Sequence, residues 1–244
     1  MSTNELIENL KNLIIAPKKL YESIKVNPSF IVPLILLLII TAASTILGSK
    51  SPTLKPEIMA AQLTEATGRP EAGDMILKQF EMAEEMGISA NAISIPVVLM
   101  SAGGTIVTLV IFAALLLLIT KILSGEATFK KMFTLLIYNN IVASILTFFA
   151  ILLMVLLNSS INIFSFAAVI MPKGNMYDPV FVLLNAITIP AIYSTVLNII
   201  GVKVICEYET YTKSIFINIV GFILPIIFAI SNAIIALNAY KMIP

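Results

Sequence analysis

The chain has 244 residues, 59% apolar and 12% charged, with a mean hydropathy of +1.00 and a net charge of +1. Soluble domains are roughly 45–50% apolar and about 25% charged, so a water-soluble globule is excluded for want of polar surface, and disorder for want of net charge. With 15 Lys and Arg against 14 Asp and Glu, no basic field exists for nucleic acid.

Residues 1–28 form an arm ahead of the first apolar run. Leu6, Leu10, Leu13 and Ile14 recur at helical spacing, and Leu20, Tyr21 and Ile24 continue after Pro17. Ser2 and Glu5 have capping-box spacing, and Pro17 suits the first turn of a second helix. Lys11, Lys18, Lys19 and Lys25 would lie near anionic headgroups. Two readings stand: an amphipathic helix docked on the membrane surface, or a pre-anchor helix packed against the bundle.

Five stretches carry no charge: Val26–Ser49, Met86–Thr120, Met132–Pro172, Pro179–Val202 and Ser214–Tyr240. Crossing about 30 Å of hydrocarbon takes about 20 helical residues. Each stretch is long enough, and spans are predicted near 29–47, 96–120, 133–157, 181–201 and 215–239. All 29 charges fall outside them. Continuous apolarity favours helices over a barrel, whose strands alternate. The expected fold is an all-α integral membrane protein with five transmembrane helices in one bundle. It carries an N-terminal amphipathic helix and a helical extracytoplasmic loop. The expected organisation is an arm at 1–28 and a membrane domain at 29–244.

The 49–93 loop holds seven acidic and four basic residues. One helix is expected from Pro56 to Thr67, closed by Gly68. A second carries Met75, Ile76, Gln79, Phe80, Ala83 and Met86 and ends at Gly87. At 45 residues the loop is too small for an independent domain. It reads as cover for the outer face or as a partner-docking hairpin. The third charge-free stretch is broken by Asn158-Ser159-Ser160 and Asn162. Ile163–Met171 is therefore read as interfacial or re-entrant, with a pair of tight helices as the alternative.

Lys/Arg bias orients the chain. Segments 1–28, 121–131 and 202–213 hold nine basic residues and a net charge of +3. Segments 49–93, 158–180 and 241–244 hold six and a net charge of −2. The expected topology is a multi-pass cell-membrane protein, N-terminus cytoplasmic and C-terminus extracytoplasmic. The first apolar run starts near residue 29 and exceeds the roughly 7–15 residues of a signal h-region. It is expected to remain as an anchor. Cys206, the single cysteine, has no partner for an intrachain disulfide.

The chain has no His, which removes Ser-His and Cys-His dyads and His-dependent zinc sites. With no ionisable residue inside a predicted span, an intramembrane aspartyl protease is excluded, and a proton relay is disfavoured. No phosphate-binding glycine loop occurs. No catalytic, cofactor-binding or metal-binding residue is assigned. The spans instead carry neutral polarity. Asn140, Ser144 and Thr147 share a face of the third; Asn185, Pro190 and Asn198 lie in the fourth. Asn218, Gly221, Pro225 and Asn232 share a face of the fifth. An unpaired amide facing lipid costs several kcal/mol, whereas an interhelical hydrogen bond adds roughly 0.6–2 kcal/mol. These residues should face the bundle interior. There they serve as helix glue, or line a polar cavity whose gate is kinked at Pro190 and Pro225.

The arrangement resembles the Yip1 domain family in its bacterial form. The likeness rests on Pro17, Asn27 and Pro28 before the first span and on the short loop Lys121–Lys130 with Gly125 and Phe129. It extends to Tyr138 early in the third span and to Pro190, Gly201 and Tyr211-Thr212-Lys213-Ser214 near the end. Asn139 and Asn140 depart from the family, which usually has small residues and then Pro after that Tyr. The resemblance implies a five-span membrane protein without enzymatic activity. Eukaryotic relatives act in membrane traffic with small GTPases and with each other; some bacterial relatives are suspected to work beside transport complexes. No GTPase-binding residue carries over to this short arm. The expected function is a non-enzymatic scaffold or accessory protein for a membrane transport or envelope complex. Its partners would be the lipid bilayer and other membrane proteins or itself. The alternative is a channel or facilitator for a small neutral solute.

Overall fold

A computed structural model describes residues 3–86, 95–172 and 174–241, with side chains for only part of the final helix. The helices are α1 (Thr3–Ile15), α2 (Pro17–Val26), α3 (Ile31–Gly48), α4 (Pro56–Thr67), α5 (Pro70–Glu85), α6 (Ile95–Ile122), α7 (Phe129–Leu156), α8 (Phe166–Ile170), α9 (Pro179–Ala186), α10 (Ile189–Ile205) and α11 (Tyr211–Lys241). Among the described residues the only β-type pairing is an isolated bridge between Ser165 and Thr188. Helices α3, α6 and α7 are long and apolar enough to cross a membrane, and α10 is an apolar helix of 17 residues. The chain forms two compact units. The first comprises 1–43, 99–147 and 190–224; the second comprises 44–98, 148–189 and 225–244.

In the first unit α7 is buried on every side from Met132 to Asn139. Met132, Leu135, Ile137, Tyr138, Asn139 and Ile141 are all sealed, the mark of a helix with no solvent face. The arm packs into the same core through Leu13, Leu20, Tyr21 and Ile24, beside Leu37, Leu116, Leu197 and Val202. Pro17 opens α2, where its missing N–H costs no helical bond. Ile14, expected on the apolar face with Leu13, points outward instead.

Three helices end the same way. Ser124, Asn158 and Glu207 adopt the left-handed conformation after α6, α7 and α10, with φ of 61°, 50° and 56°. The next amide in each case donates five residues back: Gly125 to Thr120, Ser159 to Met154 and Tyr208 to Lys203, at 2.9, 2.9 and 3.1 Å. These are Schellman closures, which satisfy orphan carbonyls. Gly125 is thus needed for proximity rather than for positive φ, because a Cβ there would strike the Tyr208 hydroxyl and Thr120.

In the second unit α4 and α5 form a hairpin around Ala60, Leu63, Ala72 and Ile76. Gly68 closes α4 at φ 69°, and Gly73 lets α5 approach so closely that a Cβ would meet Thr64 and the Ala60 carbonyl. Met86 and Gln79, expected on the buried face of α5, are exposed. Gly87, the expected stop, lies outside the described residues. Tyr177 packs on the hairpin, and Asn175 donates through Nδ2 to the Gln62 carbonyl at 2.6 Å.

The expected continuous span 181–201 is corrected: it is two helices, α9 and α10, separated at Ile187 and Thr188. Asp178 caps α9 through Oδ1 to the Val180 amide at 2.8 Å. A β-branched run then meets Pro190, whose missing N–H cannot continue a helical ladder. The freed groups are paired: the Phe166 amide donates to the Ile187 carbonyl at 3.1 Å and the Ile189 amide to the Phe164 carbonyl at 2.9 Å. Pro190 therefore sits in the first turn of α10 and does not kink a helix. In the 158–172 segment the only helix is α8, whose five residues are far too short to cross a bilayer.

The two residues of one closure should respond oppositely. Ser124→Gly relieves the left-handed penalty of about 1–2 kcal/mol but loosens the unfolded chain by about 0.5–1 kcal/mol, leaving a small net gain. Gly125→Ala should cost about 1–3 kcal/mol by overpacking against Tyr208. Thermal unfolding of the detergent-solubilised variants, followed by helical circular dichroism, checks both signs.

Candidate functional site

The first unit places a polar relay across three segments. Tyr21 of α2 donates its phenol proton to Asn139 Oδ1 of α7 at 2.7 Å. Asn139 Nδ2 in turn donates to Asn198 Oδ1 of α10 at 2.6 Å. Asn139 is 0% exposed, so its amide depends on these partners. Burial holds the Tyr21 phenol far above its ordinary range, with the Asn139 hydrogen bond opposing only weakly. It stays protonated and acts as a donor. Beside the relay, Asn9 of α1 donates to the Tyr138 hydroxyl at 3.1 Å.

Helices α7 and α10 can meet because Gly201 has no side chain. A Cβ there would collide with the Leu135 side chain, and one turn along both helices the same approach brings Asn139 to Asn198. Sequence spacing selected the neighbouring Asn140 instead. Asn140 bonds back to the Leu136 carbonyl at 2.8 Å on its own helix. The signal for Asn139 was its place four residues after Leu135, on the face that approaches Gly201.

The other expected residues do not join this relay. Ser144 is half-buried and Thr147 exposed. Asn218 is buried but donates to the Ser214 carbonyl of its own helix at 2.8 Å. Asn185 is half-buried, in the second unit, and its Oδ1 is sealed from solvent without a hydrogen-bond partner. The side chains of Gly221, Pro225 and Asn232 lie outside the described residues. Of the positions carrying the family resemblance, Pro17 opens α2 and Pro28 lies between α2 and α3. Phe129 opens α7 and stacks on Phe133 with centroids 5.7 Å apart, while Tyr138 is buried beside Asn9.

Near the end of α2, the loops after α6 and α10 are tied to the arm and to one another. Lys25 pairs with Glu207 at 2.6 Å, and this contact holds the Glu207 carboxyl below its ordinary range. The Tyr208 hydroxyl donates to the Thr120 carbonyl at 3.2 Å, and Lys213 Nζ to the Leu123 carbonyl at 3.1 Å. Lys203 lies 4.8 Å from the centre of the Tyr211 ring. Cys206 is buried among these groups, and burial pushes its thiol up to about 11. An un-ionised, covered thiol is a poor nucleophile. The site is built to hold segments together.

Removing one member of the relay should cost more than one hydrogen bond. Tyr21→Phe should lower stability by about 1 kcal/mol, and Asn139→Ala by about 2–4 kcal/mol, because the latter also orphans Tyr21 and Asn198. The double variant should lose less than the sum, a coupling of at least about 0.5 kcal/mol in a double-mutant cycle. Additive losses would show that the two side chains act separately. For the Lys25–Glu207 pair the lowered Glu207 pKa fixes the sign. Its contribution is present above the ordinary glutamate range and is lost as pH falls through the depressed value. Acidification should therefore speed proteolytic cleavage of the arm in wild type more than in Glu207→Gln.

No curated protein and no solved structure matches the chain. The family model described as the Yip1 domain matches residues 11–233, from the middle of α1 to within α11, and so takes in every segment of the relay. The chain belongs to the Yip1 domain family of membrane proteins.

Proposed function

We propose that this protein is a non-enzymatic, five-span membrane scaffold that assembles or stabilises a transport or envelope complex. The observation that carries the reading is that polar side chains of its helices are engaged by one another or by their own helices' carbonyls in the cases that follow, Asn185 being an exception. Tyr21, Asn139 and Asn198 form one relay. Asn140, Asn218, Thr105 and Thr195 bond to carbonyls of their own helices. Groups occupied in this way hold helices in place and leave little to line a path for solute. The alternative of a small-solute facilitator draws no comparable support from them.

The reading of five crossings draws on the five charge-free stretches, three of which form helices long and apolar enough to cross a membrane. The arm and the loops at 122–128 and 206–210 contact one another within the first unit. The 49–86 hairpin and the 158–178 loop contact one another within the second. The first group of loops carries the excess positive charge, which favours the cytoplasmic side for the arm. The membrane domain, 29–244 in this reading, takes its partners through the extracytoplasmic hairpin and the lipid-facing helices.

Two measurements test this. A reporter fused after Pro244 should be active only outside the cytoplasm; cytoplasmic activity would overturn the five-span, N-in arrangement. Mild-detergent purification from native membranes should recover a stoichiometric membrane-protein partner or a self-oligomer. A lone monomer, or solute flux in vesicles holding only the purified protein, would count against the scaffold.

A further inference from the structure

We infer that the outward face of α1, formed by Ile7, Ile14 and Ile15 around Lys11, docks into the lipid–water boundary of an anionic bilayer. Ile7 is 59%, Ile14 64% and Ile15 71% exposed, although Leu13 of the same helix is wholly buried. At about 100° per residue the four positions fill one arc of about 100°, which also takes in exposed Asn4, with Glu8, Asn12 and Glu5 following on its far flank. The helix thus has one apolar flank in the protein core and a second with no protein partner within this chain's described residues.

The position of α1 identifies what covers that second flank. Leu10 and Leu13 share a core with Phe30 and Leu34 at the start of α3 and with Phe133 in the second turn of α7. Phe30 and Phe133 meet edge to face at 5.4 Å. Both helices are of membrane-crossing length and composition, and the Asn9–Tyr138 hydrogen bond ties α1 to the third turn of α7. Helix α7 has 28 residues where about 20 suffice, an excess of about 12 Å that lets its Lys130–Lys131 end stand among the headgroups. Ile31, Ile35 and Ile39 form an exposed apolar stripe on α3.

The chemistry of the arc separates lipid from a protein partner. A lysine in the middle of an apolar patch is disfavoured at the core of a protein interface. At a bilayer surface its stem lies along the acyl region while the ammonium reaches phosphate. Lys19 and Lys18, the latter paired with Glu22 at 3.9 Å, are exposed at the start of α2 and add positive charge to the arm. The arm is therefore clamped between protein core and lipid, and this holds or fails independently of any scaffold partner.

The test uses full-length protein in vesicles of phosphatidylglycerol and phosphatidylcholine. Nitroxide labels are placed at Ile14→Cys, Ile7→Cys or, as the water-facing control, Glu8→Cys, in a Cys206→Ala background. If that background is unstable, Cys206 is retained, since it is buried and un-ionised. Collision rates with oxygen and with a water-soluble nickel chelate are compared. The labels at 7 and 14 should show a severalfold higher oxygen-to-nickel ratio than the label at 8. Lys11→Gln combined with Lys18→Gln and Lys19→Gln should reduce that ratio. Equal nickel access at all three sites would overturn the docking. Shielding of 7 and 14 from both reagents would overturn it in favour of a protein occupant. An unchanged ratio in phosphatidylcholine alone would overturn the requirement for anionic lipid.

Discussion

An amide side chain cut off from water must find its partners inside the protein, and Asn139 finds one on either side. Its carbonyl oxygen takes the proton of Tyr21 and its amino group reaches Asn198. A half-satisfied amide in such surroundings would be worse than an apolar residue. The arm, the central helix and α10 are therefore bound to a single arrangement. Leucine in the same place would pack, but it would accept sliding or rotation of α10 that the amide does not. The relay supplies registration where hydrophobic contact between lipid-compatible surfaces supplies little.

The same requirement recurs wherever the backbone leaves a helix. Three Schellman closures satisfy orphan carbonyls of the preceding turn, and the break between α9 and α10 is paired to the strand-like turn before α8. Non-helical backbone is tolerable near hydrocarbon only when its polar groups are answered by protein. Close approaches recur at glycines: Gly125 under Tyr208, Gly73 against Ala60 and Gly201 against Leu135 are places where a methyl group would interfere.

Much of this was legible in the residues, for identifiable reasons. Charge distribution marks helix positions because burying charge in lipid is so costly. It located α3, α6 and α7 to within a few residues, and Pro17, Pro56 and Gly68 marked helix ends through local backbone chemistry. What escaped was anything decided by rotation about a helix axis. In a helix apolar all round, periodicity does not choose between Asn139 and Asn140, and only the partner helix does. Ile14 was misassigned similarly, because the apolar arc of α1 is wide enough to serve two environments. The division at Ile187–Thr188 was hidden because a β-branched apolar run satisfies hydropathy whether or not it is helical.

The relay also imposes an order of events. Tyr21 and Asn139 lie 118 positions apart, and Asn139 and Asn198 a further 59. During synthesis the arm emerges first, yet the amide that receives its phenol belongs to a much later segment, and that amide is complete only once α10 has followed. The arm's polar anchorage is thereby decided by segments made well after the arm itself.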